Sequence, residues 1–516
     1  MNYPGFLSLI VFTFLSVPMA SYAVGNTQKG NSVLNLKIDR DSPIGQFLRG
    51  YYLSNPATMH FADSCSISSA GLNADIEKFD HSILAQEGRG HNMYAIEADS
   101  YYKLAPISTV WGNAAYHNGK THDIKMSDVI DYSVVGPFVI GDEVGGNVNH
   151  QRYTFGGGWG RLFGKWGIGA QAAYRAEIAH RALDPRVRNI VSDLTVDLGA
   201  SRSIAHNYML ALNAGIRVYN QDVDVEFYNP TYRPTTSVFT GLGSYSNRFR
   251  GSETESSAHK LTGYKASVQL VPVTHGDSFY AIVEASLSDA QLILHGYSDL
   301  TFGTTSTTII SGRMSRKFTF NRQFTFFPTV SGNMWKRTAT ENLFGTSAEN
   351  YIKIGERKNY HHNRYSASLN LPVAWNQRER NLVYTLSLTG GFLSNEEYLV
   401  EPSRKLKTDF FNSGVILDVT KKIGLWAIGA RIGYEGANSL STSAQWAGLD
   451  FSTPEGAIAL NNYEMSSCNV TAEHARISVS RALKMMAVTL SAQISHYDLK
   501  GHNSGNSIIA ALSITF

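Results

Sequence analysis

The sequence predicts an all-β fold, a closed antiparallel transmembrane β-barrel of about 18 strands. Three observations predict it. Apolar and polar residues alternate with period two in segments of about ten residues, down to the end of the chain. Aromatic residues recur in pairs at one spacing on the apolar faces, and short connections alternate with long ones.

The chain opens on an apolar run, Phe6 to Val17, followed by Ser21 and Ala23, small residues spaced as a signal-peptide cleavage site requires. Residues 1–23 therefore read as a signal peptide with Val24 as the mature start, although no Lys or Arg precedes the run. The run falls short of the ~18 residues of a membrane-crossing helix, and no later stretch approaches that length. Residues 24–56 lack strand alternation. Ser42 followed by Pro43 marks a helix start, which would set Ile44, Phe47, Leu48 and Tyr51 on one face. Two readings of this segment stay open, an ordered periplasmic lead-in and a plug inside the lumen.

Residues 57–516 read as the barrel. Trp166, Ile168, Ala170, Ala172, Tyr174, Ala176 and Ile178 share one face, against Gly167, Gly169, Gln171, Ala173, Arg175 and Glu177 on the other. The split recurs with Leu210, Leu212, Ala214, Ile216 and Val218 against Asn213, Gly215 and Arg217, and with Phe411, Val415, Leu417 and Val419 against Asn412, Gly414 and Asp418. A soluble sandwich also alternates, so the aromatic pairs decide. Trp166 with Tyr174, Tyr384 with Phe392 and Trp426 with Tyr434 share one separation. At ~3.3 Å per residue and ~40° of tilt, that separation climbs roughly 20 Å, close to the ~25 Å apolar band between two aromatic girdles.

Short links fall near Leu104–Ile107, Phe163–Lys165, Ser203–Asn207, Pro272–Asp277, Pro372–Arg380, Lys421–Gly424 and Ala482–Lys484. Longer polar stretches lie at His117–Asn149, Gln221–Ser257, Thr338–Asn359 and Glu435–Glu473. This is the asymmetry of short periplasmic turns and long extracellular loops. Ile508, Ala510, Leu512, Ile514 and Phe516 alternate to the last residue, a terminal strand of the kind that outer-membrane assembly machinery recognises. The strands number about 16 to 18, and an even count is expected with both termini on one side. Closure is required, because an open edge in lipid leaves backbone groups unpaired at several kcal/mol each.

Composition narrows function. With 45 basic and 42 acidic residues the net charge is +3, so no nucleic-acid partner is implied. Cys65 and Cys468 sit outside any metal-ligand spacing, and no metal or cofactor is expected; a disulfide between them is left open. Gly119-Lys120-Thr121 lacks the earlier glycine of a phosphate-binding loop, since Ala114 stands there. Gly156-Gly157-Gly158-Trp159-Gly160 reads as strand glycines that permit tight bending. His361, His362, His496, Asp498 and His502 fall in or near loops without a catalytic spacing, so no enzyme is expected. Function is sought on the lumen face. Its candidates are Glu97, Asp99, Lys103, Arg175, Glu177, Asp193, Asp197, Arg217, Lys265, Glu284, Asp418, Arg431 and Glu435. Both signs are interspersed, which favours a paired network over a ring selective for one charge.

The block from Gly141-Asp142-Glu143-Val144-Gly145-Gly146 through Asp184-Pro185-Arg186 to Val191-Ser192-Asp193-Leu194-Thr195-Val196 resembles uncharacterised outer-membrane β-barrel proteins of the Bacteroidetes. Asn55-Pro56-Ala57 resembles the start of fatty-acid-transporter-type barrels. The resemblance implies an outer-membrane location, with lipid around the barrel. The expected function is a channel or transporter for small or amphipathic solutes. The alternative is a scaffold that docks a partner through its loops or N-terminal segment.

Overall fold

The computed structural model describes residues 30–516 apart from 205–206, 230, 232, 252–255, 275 and 347–350. The segment expected to be a signal peptide, with its expected cleavage site, lies outside the described residues. Two helices come first, α1 (Gly30–Asp41) and α2 (Pro43–Leu53). Helix α2 starts where the sequence places it: Ser42 is the N-cap, its hydroxyl accepts from the Gly45 N–H at 3.1 Å, and Pro43 opens the first turn.

The strands follow as β1 (Ile67–Phe79), β2 (Gly90–Ala105) and β3 (Ser108–Ile124). A four-residue helix α3 (Tyr132–Val135) and β4 (Val139–Asp142) interrupt them. Next come β5 (Gly146–Phe163), β6 (Trp166–Arg181), β7 (Arg186–Ser203) and β8 (Tyr208–Glu226). Strands β9 (Thr236–Gly241) and β10 (Ser244–Gly251) lie in the connection to β11 (Ser257–Pro272), β12 (Phe279–Leu294) and β13 (Leu300–Arg316). A small hairpin, β14 (Phe318–Phe320) and β15 (Phe324–Phe326), precedes β16 (Thr329–Thr346), β17 (Tyr351–Gln377), β18 (Leu382–Leu399) and β19 (Arg404–Ile423). The chain ends with β20 (Trp426–Trp446), helix α4 (Pro454–Ser467), β21 (Val470–Ala482), β22 (Ala487–Leu499) and β23 (Asn503–Thr515).

One sheet holds 20 strands. Setting aside the three-residue strands β14 and β15 leaves a wall of 18, each paired antiparallel with its neighbours, and β1 pairs with β23 to close it. The seam runs from Ser69 opposite Thr515 to Phe79 opposite Gly505, and Phe516 exchanges backbone hydrogen bonds with Ser68 at its foot. The apolar face points outward. Leu72, Ile96, Leu198, Tyr264, Ile432 and Leu490 are 54–62% exposed, while the alternate positions Tyr101, Glu177, Asp197 and Asn213 are buried. Such a belt belongs in lipid. No helix among the described residues is long and apolar enough to cross a membrane.

The turn pair Gly164-Lys165 and Gly424-Leu425 repeats the same geometry, both glycines at φ +59°. At the other end the strands run further than alternation alone indicates. The stretch Thr338–Asn359, read as a loop, is the paired end of β16 and β17, in register to Thr346 opposite Tyr351. Likewise β20 continues to Trp446 before α4 begins. Cys65 precedes β1 at the short-turn end and Cys468 precedes β21 at the loop end; both are free thiols.

Candidate functional site

The lumen is the candidate site, and both of its ends carry inserted chain. From the short-turn side, α1 and α2 enter. Val33 and Leu34 pack on Ala427, Ala482 and Ala487 at one side of the wall. Ile44, Leu48, Tyr51 and Tyr52 pack with Tyr101, Met209, Val271, Tyr280 and Phe327 at the other. Polar contacts fix the insertion. Tyr51 Oη lies 2.6 Å from Ser315 Oγ, Tyr52 Oη donates to the Pro272 carbonyl at 2.8 Å, and the Arg313 guanidinium lies over the Tyr51 ring at 4.2 Å. Arg49 holds Asp63 through two hydrogen bonds, and Arg40 reaches Asp99 on the wall at 2.9 Å. The segment then turns at Asn55-Pro56-Ala57 against the inward face of β5, β6 and β7. A Cβ on Gly169 would lie 2.3 Å from the Pro56 carbonyl oxygen, and one on Gly199 would lie 2.1 Å from Asn55 Oδ1. Close approach of Trp111 and Pro56, rather than bending, is thus what Gly158 and Gly160 serve.

From the loop side, β4, β9 and β10 form a three-stranded sheet. Met126, Val129, Val135 and Val139 pack on Val187, Val191, Tyr219 and Leu261 of the wall. Phe138, Ile140, Val238 and Phe249 pack on Leu292, Phe302, Phe344 and Tyr360. Helix α4 joins through Met465, which packs with Phe79 and Leu499, and through Asn462, whose Oδ1 accepts from the Ala85 N–H at 3.0 Å.

Buried charge ties these loops down. Glu177, its side chain wholly shielded, accepts from Arg152 Nε at 2.7 Å and Arg175 Nη1 at 3.2 Å, and lies 2.9 Å from His150 Nδ1. Arg175 also grips Asp131 of the loop, whose Oδ2 accepts from Tyr219 at 2.8 Å. Asp193 pairs with Arg217 through two hydrogen bonds of 2.8 Å. Asp197 meets Lys265 at 2.9 Å, and Asp418 meets Arg431 at 2.6 Å. Glu97, Lys103, Glu284 and Glu435 form no ion pair among the described residues. Glu284 lines a cavity of about 330 Å³ beside Arg313.

Residues outside the predicted set shape a larger cavity, about 800 Å³, between the roof and strands β16 to β19. Trp335, Arg337, His362, Arg364, Asn395 and Glu397 line its wall side, with Tyr132, Ile458 and Tyr463 from the roof. Arg337 donates to the carbonyls of Ser133, Val134 and Gly136 at 2.9–3.1 Å, so it holds α3 rather than a carboxylate. Arg404 does the same for Leu242, Ala447 and Gly448. His362 lies 2.7 Å from Asn395 Oδ1, whereas His361 stacks on Tyr398. His496, on β22, lies 2.9 Å from Asn506 and is separated from the β17 histidines by the intervening strands of the wall. Asn333 and Ser366 border both this cavity and the smaller one containing Glu284. A third, about 350 Å³, runs between α1 and the wall past Asp39, Asp418 and Arg431. Burial raises the Asp39 carboxyl above its ordinary range. Alternation could have found Trp335 and Arg337, which share the inward face with Asn333 just before the polar stretch from Thr338.

A family model described as a family of unknown function (DUF6850) matches residues 56–516. No curated protein matches the sequence. Among solved structures, the ferric-catecholate import receptor Fiu from E. coli K12 is 9% identical with a TM-score of 0.38, covering 87% of this chain and 81% of that one. BauA, the ferric preacinetobactin receptor from Acinetobacter baumannii, is 8% identical with a TM-score of 0.40, covering 87% and 80%. The alcaligin outer membrane receptor FauA from Bordetella pertussis is 11% identical at 0.36, covering 86% and 75%. Likeness this loose carries no functional argument.

Proposed function

The chain belongs to that family of unknown function, and from this premise we propose that it is an outer-membrane barrel that takes up a small amphipathic solute through a covered lumen. The observation that carries the reading is the cavity of about 800 Å³ beneath the loop roof. Its size suits a small-molecule site. Its lining is divided, with Trp335, Leu393, Leu406 and Phe410 offering apolar surface and Arg364, Asn395 and Glu397 offering polar groups. Below it lie the cavity at Glu284 and the cleft beside α1, which together outline a descent toward the short turns. The outward apolar belt needs lipid around it, and the terminal strand ending at Phe516 supplies the signal by which assembly machinery would insert it. A docking scaffold has less support, because the N-terminal segment and the loops it would use are turned inward. In this reading the barrel moves solute and catalyses no reaction.

The test is binding to the folded protein. Medium-chain carboxylic acids and neutral amphiphiles of equal length would be titrated against tryptophan fluorescence. Saturable quenching that Trp335→Phe abolishes, and that Arg364→Ala weakens for the acids, is the expected result. Unsaturable quenching that ignores both substitutions would remove the cavity from the account.

A further inference from the structure

We propose that the short-turn rim of the barrel is a collar that binds the phosphate headgroups of the lipid leaflet around it. Four exposed arginines stand there on the outward face, each over the ring of an aromatic neighbour. Arg161 lies 5.2 Å from Phe163, Arg202 4.9 Å from Trp166, Arg316 4.8 Å from Phe318 and Arg481 4.9 Å from Trp426. Their strands β5, β7, β13 and β21 are spread round the wall.

None of the four makes an ion pair among the described residues. The loop end differs: there Arg188 meets Asp224 at 2.6 Å, Lys405 meets Glu396 at 2.5 Å and Lys407 meets Asp409 at 3.3 Å. Turn residues add to the collar, with Lys165, Lys421 and Lys484 exposed, while the carboxylates of these turns are Asp277 and Glu379. The rim is therefore positive and its four arginines unneutralised, whereas these three loop-end cations are each held by a carboxylate.

The chemistry follows from placement. Interfacial tryptophans sit at headgroup level, so a guanidinium stacked on one is held at that depth. Stacking uses its flat face and leaves the N–H fork free, and that fork matches two oxygens of a phosphate. An acidic protein partner fits less well. The arginines lie on the lipid side of the wall, and they encircle it instead of forming one patch.

The inference rests on the membrane reading above, and the experiment keeps the two apart. Protein folded into phosphatidylcholine vesicles would first be shown to float with them and to resist protease. Brominated phosphatidylglycerol would then compete with brominated phosphatidylcholine to quench the outward reporters Trp166 and Trp426. The expected result is a preference of more than about tenfold for the anionic lipid. It should fall about fivefold in Arg202→Gln or Arg481→Gln at the adjacent tryptophan, and vanish when all four arginines are Gln. These positions are exposed, so the variants fold. Equal quenching by both lipids in correctly inserted protein overturns the collar, and equal quenching together with tight binding of poly-L-glutamate would assign the rim to an acidic polypeptide instead. Failure to float would strike the membrane reading instead.

Discussion

Glu177→Ala should be the most destabilising single truncation in the lumen. The carboxylate is fully shielded and faces Arg152 at 2.7 Å, Arg175 at 3.2 Å and His150 at 2.9 Å. Removing one member of a buried pair costs about 3–5 kcal/mol, because the remaining charge is left without a partner. Two features place this case at the lower end. The Arg152 side chain is 35% exposed and regains water, and Arg175 keeps Asp131. The expected loss is about 3 kcal/mol, with Glu177→Gln losing roughly half of that. Glu97→Gln, at an exposed position without an ion pair among the described residues, should stay within about 0.5 kcal/mol. The assay is urea unfolding of the vesicle-inserted protein, followed by tryptophan fluorescence in both directions. At a slope of about 2 kcal/mol per molar, the midpoint should fall by about 1.5 M. High salt should leave the difference intact, since a shielded pair is poorly screened. A midpoint for Glu177→Ala within experimental scatter of the parent would falsify the tether.

Three more outcomes follow from the same geometry. Gly169→Val drives side-chain atoms into the Pro56 carbonyl, already 2.3 Å from a Cβ; the overpacking should cost about 1–3 kcal/mol and free the N-terminal segment for protease, whereas Gly390→Ala, with open space around it, should not. Arg337→Ala removes donors from two carbonyls of α3 and that of its C-cap Gly136; chymotryptic cleavage at Tyr132 and Phe138 should accelerate about tenfold or more, and Arg337→Lys should recover part of the protection. Asp39 has a folded value raised by burial, so the sign runs one way: its favourable contribution to docking is present below the unfolded carboxylate value and lost as pH rises through the raised one. Protease protection of α1 should therefore weaken as pH climbs out of the acidic range, and Asp39→Asn should flatten that dependence; a steeper profile in the variant would count against it.

The wall was legible because lipid imposes a period. Every outward position between the girdles must be apolar, so Trp166 to Ile178 and Ile508 to Phe516 announce themselves. The α2 start was legible for a local reason, since Ser42 and Pro43 carry the capping chemistry themselves. Where a strand leaves the lipid the constraint lapses: beyond Thr338, the polar run Thr340-Glu341-Asn342 breaks the alternation and looks like loop. The lumen charges could be named from alternation, but their partners could not. Asp131 finds Arg175 only because loop residues fold inward across 44 positions of sequence, and register alone brings Arg152 opposite Glu177. The cavity residues Trp335 and Arg364 face each other for the same reason. Arg337 and Arg404 were hidden more deeply, because they bind backbone carbonyls, which no side-chain pattern marks.

Conductance across a planar bilayer tests the covered lumen most directly. A barrel of this strand number is wide enough for an aqueous channel unless something fills it. The intact chain should show no steady large conductance, and removal of residues 24–55 together with the roof tethers, in Arg175→Ala and Arg337→Ala, should open one. Open-barrel conductance in the intact chain, unchanged by that removal, would contradict the account.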